Sequence, residues 1–322
     1  MRTGGSTRRR WSAIGSLVLL AAVAAHADEG GVGFWLPGTY ASFAAVPADP
    51  GWSLPVTYYH YGGDQGASHG FVIAGHVTAG VHATADMVYL APGFTPRGRL
   101  LGGSSTFVLN GGFGGASTRV DATLTGPAGS VLEHNASDQV FGLCDLAPQW
   151  TLAWDHGTSN VMTYVMAGIP VGTYDPSRLA NIGIRHGALD AGGGYTYMDT
   201  TSGHELSVVA GFTYNLDNPD THYKNGFDAH LDWAASQFLS KSTHVGVVGY
   251  GYDELGSDSG SGAVLGSFRS QVLALGPEIG HFMDVGGGQW YAQLKGYWEF
   301  AVRNRPQGWN LWLTLSIPLG PQ

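Results

Sequence analysis

The chain has 322 residues, with 15 Lys+Arg against 24 Asp+Glu, and charged residues make up only 12% of it. That is about half of the roughly 25% usual in soluble domains, so a wholly water-facing surface is hard to build from it. No basic run points to nucleic acid. Cys144 is the one cysteine, which excludes a disulfide-stapled domain and any all-cysteine metal site.

The first segment reads as an export signal. Arg8-Arg9-Arg10 precedes an apolar run from Ile14 to Ala25, and Ala25-His26-Ala27 gives the small-x-small cleavage pattern. Cleavage after Ala27 removes Arg2, Arg8, Arg9 and Arg10 but no acid, leaving 11 Lys+Arg against 24 Asp+Glu, a net charge of −13. The run is too short for a bilayer helix, and no later stretch offers about 18 uninterrupted apolar residues.

Residues 28–51 are rich in Gly and Pro, as in Leu36-Pro37-Gly38 and Asp49-Pro50-Gly51, and read as coil because proline removes ladder donors. Phe34, Trp35, Tyr40 and Phe43 lie among them, an aromatic density unsuited to water. The coil reads as a hatch folded back into a barrel, or as a strap packed under its periplasmic mouth.

From residue 52 the pattern changes to strict alternation, as in Phe227-Asp228-Ala229-His230-Leu231-Asp232-Trp233. A strand turns successive side chains to opposite faces, so each such stretch has one apolar and one polar face. Strands are expected near 52–61, 84–96, 99–113, 143–156, 160–171, 186–199, 203–216, 225–239, 243–255, 266–282, 288–303 and 307–318. A further pair at 72–81 or 117–126 stays open. The links alternate between long (62–83, 114–142, 172–185) and short (Arg97-Gly98, Ser240-Lys241-Ser242), with Asn304-Arg305-Pro306 the exception.

Long strands, scarce charge and long–short links predict an all-β fold: a closed antiparallel transmembrane β-barrel of about 12 strands over 52–318, with a tail at 319–322. A soluble sandwich also alternates, but its strands are usually shorter. On 288–303, Trp290, Ala292, Leu294, Gly296, Trp298 and Phe300 are assigned to lipid, and Gln293, Lys295, Glu299 and Arg303 to the interior. On 143–156, Gln149, Thr151 and Asp155 turn inward with Asp145. Trp52, Trp150, Trp233, Trp290 and Trp309 are expected in interface girdles.

The row Asp228, His230 and Asp232 faces the expected lumen. It reads as pore lining hydrogen-bonded to facing strands, or as acid–base groups of a barrel-wall hydrolase. Two carboxylates and one histidine lack a fourth ligand, so no metal is predicted. No phosphate loop, Gly-x-Ser-x-Gly or His-Glu-x-x-His occurs, and no cofactor is predicted. In the external loop Tyr174–Asn181, Asp175 opens a turn before Pro176, and Arg178 either meets a ligand carboxylate or clamps the loop to a neighbour.

The blocks Glu29–Gly38, Pro170–Asn181, Asn225–Ser240, Lys295–Phe300 and Asn304–Asn310 resemble proteins named for the meta-pathway of phenol degradation, over about Asp28 to Ile317. The resemblance implies an outer-membrane β-barrel associated with uptake of aromatic or other hydrophobic compounds, and it carries over no catalytic residues. The chain departs from the usual terminal aromatic, running Ser316-Ile317-Pro318-Leu319-Gly320-Pro321-Gln322, which moves the expected assembly signal inside, to Trp312–Ile317.

The reading is therefore a non-enzymatic bacterial outer-membrane channel for passive uptake. Its expected partners are outer-membrane lipid, the barrel-assembly machinery and a small hydrophobic or aromatic ligand. Gln149, Thr151, Asp155, Asp228, His230, Asp232, Gln293, Lys295 and Glu299 are the expected lining. Phe34, Trp35, Asp175 and Arg178 are the expected hatch and loop contacts. The rivals are a barrel-embedded hydrolase and a closed structural barrel.

Overall fold

A computed structural model describes residues 33–73, 76–125, 131–263 and 269–319. The expected signal at 1–27 and the start of the coil at 28–32 lie outside the described residues.

Fifteen ladder segments form one antiparallel sheet closed on itself. They are β1 (Gly51–Ile73), β2 (His76–Leu90), β3 (Gly93–Thr95), β4 (Arg99–Leu100), β5 (Gly103–Thr125), β6 (Val131–Leu143), β7 (Ala147–His156) and β8 (Ser159–Gly168). There follow β9 (Ala188–Asp199), β10 (His204–Asn215), β11 (Phe227–Phe238), β12 (Thr243–Glu254), β13 (Gln271–Val285), β14 (Gly288–Arg303) and β15 (Gln307–Leu319). The seam pairs β1 with β15 from Trp52↔Leu319 to Asp64↔Gln307, so the wall has no free edge.

β3 and β4 prolong the path of β2, and β7 prolongs that of β6, so the wall has twelve strands. The first break falls at Ala91-Pro92, where proline offers no ladder donor. The second falls at Cys144-Asp145-Leu146. There Asp145 turns inward and accepts the N–H groups of Gly172 (2.6 Å) and Ile184 (2.8 Å), tying the loop after β8 to the wall.

Two stretches expected as long loops are strand instead. β1 and β2 continue through 62–73 and 76–83, and β5 and β6 through 114–125 and 131–142. The stretches 72–81 and 117–126 therefore lengthen strands already counted and add no pair. Glycine hid them, because Gly62-Gly63 and Gly114-Gly115, at the start of each stretch, carry no side chain to alternate. Glycine is also required there: a Cβ on Gly114 would lie 2.2 Å from the Asp86 carbonyl oxygen.

The alternation sorts the two faces. Leu231, Leu294, Trp298, Phe300 and Leu313 are exposed on the outside, whereas Gln293, Lys295, Glu299, Trp312, Thr314 and Ser316 are buried inside. Arg303 corrects the expected assignment. The β13–β14 register shifts between Gln271 and Leu273, Ala301 has φ 51°, and Arg303 emerges outside, 3.0 Å from Asp253. Trp233 also departs from the girdle. It packs across Gly249, midway along β11.

Candidate functional site: the lumen and its plug

Residues 33–46 form an ordered coil inside the barrel, and every one of them is buried. The coil descends in step with β11. Gly33 abuts Asp228 and Tyr252 near the end bearing the longer links, Gly38 to Tyr40 lie beside Asp232, and Ser42 reaches Ser236. It then leaves at the short-turn end and enters β1 at Gly51.

The coil is held by wall side chains. Asp232 accepts the N–H groups of Gly38 (2.9 Å) and Tyr40 (3.0 Å), one on each carboxylate oxygen. Lys295 donates to the carbonyls of Gly38 (2.5 Å) and Thr39 (3.2 Å). The tripeptide Gly38–Tyr40 is thus clamped between a buried anion and a buried cation. Gly38 permits this: its φ is +86°, and a Cβ would press on Tyr250 at 3.0 Å and Tyr297 at 3.1 Å.

A second clamp lies lower. Glu205 accepts the N–H of Phe43 (3.0 Å) and hydroxyl donors from Ser42 (2.7 Å), Ser207 (2.5 Å) and Ser236 (2.9 Å). Ser42 also contacts Glu278, whose other oxygen accepts from Gln293 (2.9 Å). Below it Phe43, at φ 67°, fits among Phe238, His244, Phe282 and Tyr291, with ring centroids 5.0–6.1 Å away. Such rings bury area and add edge-to-face attraction that offsets the backbone strain.

At the upper end Trp35 stacks on His230, with centroids 3.7 Å apart and planes within 10°. His230 Nε2 lies 3.0 Å from Asp190 and 3.4 Å from the Tyr164 hydroxyl, while Thr213 donates to the same Asp190 oxygen at 2.5 Å. Phe34 rests against Gly168, where a Cβ would come within 2.8 Å of its ring.

Eight of the nine expected lining residues, Gln149, Thr151, Asp228, His230, Asp232, Gln293, Lys295 and Glu299, are buried on the inner face. Gln149 lies 3.3 Å from the Tyr40 hydroxyl. Glu299 accepts from Tyr250 (2.9 Å) and Gly308 N–H (2.8 Å), and Arg305 lies 3.4 Å away. Arg305, in the short link after β14, is a buried counter-ion. Asp155 is exposed at the turn into β8, where it accepts the Gly157 N–H (2.7 Å), and so borders the mouth of the lumen.

Sequence reasoning missed Glu205, Glu278, Asp190 and Ser42. The first three stand at alternate polar positions of strands it had found, so the inward face was readable. Ser42 was not, because its partners Glu205 and Glu278 lie 163 and 236 residues away.

Arg178 is committed within the protein. It donates to Asp138 through Nε (3.0 Å) and a terminal nitrogen (2.7 Å), clamping the loop after β8 onto β6. Asp175 accepts the N–H and hydroxyl of Ser177, which hold its carboxyl below the usual range. Asn218-Pro219-Asp220 is more than a turn, since Asp220 accepts from Arg185 at 2.7 Å. Arg178→Gln should speed chymotrypsin cleavage at Tyr174 by about fivefold at most, since a partly exposed pair is worth roughly 1 kcal/mol or less. An unchanged rate would show that the Arg178–Asp138 pair does not hold the loop, leaving it to bonds such as those of Asp145, Ala180 and Tyr174.

Under the plug, at the short-turn end, lies a cavity of about 680 Å³. Phe43 and residues 46–50 form one wall of it, and strand ends and turns of the barrel form the rest.

The family described as "Putative MetA-pathway of phenol degradation" matches residues 66–315. No curated protein matches the chain. Among solved structures, an outer membrane channel from Pseudomonas putida F1 is similar, with 16% identity, 84% of this chain and 96% of that one covered, and a TM-score of 0.65. The β domain of the Bordetella autotransporter BrkA is 12% identical over 83% and 99% of the two chains, with a TM-score of 0.48. A Pseudomonas aeruginosa FadL homologue is 10% identical over 94% and 100%, with a TM-score of 0.41.

Proposed function

This chain belongs to the family described as "Putative MetA-pathway of phenol degradation", and on that footing we propose that it is a passive outer-membrane channel for small hydrophobic or aromatic molecules, with residues 33–50 as its gate. The observation that carries the reading is the way the plug is held. It joins no ladder of the wall, and it is bonded to the wall through side chains such as Asp232, Glu205, Thr196 and Lys295. Such a segment can leave its seat while the sheet stays intact. Its aromatic residues and those facing it, Trp35, Tyr40 and Tyr164, give an apolar solute contact surface where a water-filled pore would offer none.

His230 is a weak candidate for hydrolysis. Its recorded bonding partners are Tyr164 and Asp190, and its ring face is covered by Trp35. A closed structural barrel is the rival that the buried plug favours. The test is uptake of 1-N-phenylnaphthylamine by cells with an intact lipopolysaccharide layer. Cells displaying the folded chain should take it up faster than vector controls. Equal rates at confirmed surface expression would favour the closed barrel.

A further inference from the structure

The cavity below the plug differs from the rest of the lumen in its balance of charge, with three cations, Arg97, Arg99 and Lys241, lining it against two carboxylates, Asp49 and Asp155. Higher up, Asp190, Asp228, Asp232, Glu205, Glu278 and Glu299 crowd the interior against Lys295 and Arg305. In the cavity, Arg97 and Arg99 on one turn and Lys241 on another line the same space. Among the described residues none of these three meets a carboxylate. Arg99 donates only to the Gly102 carbonyl (3.2 Å), whereas Arg119, Arg178, Arg185, Lys224, Arg303 and Arg305 each have an acidic partner.

The opposite wall is apolar: Phe43 sits with Phe282, Phe238 and partly buried Met198 beside it. Asp49, also on the wall, has a buried carboxyl oxygen without a partner, and burial raises its pKa. A volume of about 680 Å³ lies in the usual range for small-molecule sites.

We propose that this cavity is a binding site for an amphipathic organic acid, its apolar body against Phe43 and Phe282 and its carboxylate at Arg97 and Arg99, with Lys241, on the turn after β11, adding positive charge from the other side of the same space. The inference rests on the channel reading and narrows its substrate class. Guanidinium groups bind carboxylates with fork geometry, and unpaired cations beside an apolar wall select an acid over its neutral amide. A ligand released from beneath the plug would meet these cations on its way out.

The experiment is calorimetric titration of the full chain in zwitterionic nanodiscs with 4-phenylbutyrate and with 4-phenylbutyramide, with empty discs as the lipid control. The acid should bind about tenfold more tightly than the amide, one charge-assisted contact's worth. Arg97→Gln/Arg99→Gln/Lys241→Gln should abolish that preference while the barrel keeps its heat-modifiable migration. Three results would overturn the site: equal binding of acid and amide, a preference that survives the triple variant, or heats no larger than those of empty discs. The phenylnaphthylamine assay decides separately whether the channel reading stands, because that probe carries no acid.

Discussion

Removal of residues 33–46 should turn a quiet barrel into a steadily conducting, cation-selective one. The wall does not need the coil to close, since the β1–β15 seam begins at Trp52. Removing the coil takes Trp35, Tyr40 and Phe43 out of the lumen together with the backbone that occupies it. Eight-stranded barrels are filled by their own side chains and those of 16–18 strands leave aqueous channels; twelve strands lie between, so what fills the centre decides the outcome. Here a polypeptide segment fills it. Single-channel recording in planar bilayers should show conductance at least about tenfold above that of the full chain.

Selectivity follows from the wall left behind. Asp190, Asp228, Asp232, Glu205, Glu278 and Glu299 would face water with Lys295 and Arg305 the buried cations opposed to them among the described residues. Rings of carboxylates attract cations, so the reversal potential in a salt gradient should move toward the cation value. A deleted barrel that migrates as folded but stays silent would show that the wall side chains close the lumen unaided.

The sequence carried the wall of this protein far better than its interior. Period-two alternation is a local property, and where side chains were present, as in Phe227–Trp233, the faces could be read directly. It failed where glycine erased the pattern, at Gly62-Gly63 and Gly114-Gly115, and there strands passed for loops. It also failed at Arg303, because the left-handed residue Ala301 inserts a step that no pattern marks. The coil's aromatic residues signalled burial without saying against what. Its clamps join residues such as Gly38 and Asp232, 194 positions apart, and no local pattern encodes that pairing. Arg97 and Arg99 on one turn and Lys241 on another come to line one space only once the barrel is closed.

Asp232→Ala should unseat the plug without disturbing the wall, because β11 pairs through its backbone with β10 and β12. The substitution removes the acceptor of two plug N–H groups, and a buried donor left unsatisfied costs about 1–3 kcal/mol. It also leaves Lys295 facing the lumen without that carboxylate. Some of the loss is recovered if water enters, so a net weakening of about 3 kcal/mol is reasonable, roughly a hundredfold shift toward the open state. Brief openings should become about a hundredfold more frequent in bilayer recordings, and phenylnaphthylamine uptake should rise in cells. Asp232→Asn is the discriminating companion. It keeps the shape and one accepting oxygen, so it should fall between wild type and the alanine variant. If both variants behaved as wild type while the deletion conducted, the hold on the plug would belong to Glu205 and the Phe43 ring cage, and Ser42→Ala and Phe43→Ala would become the variants that open it.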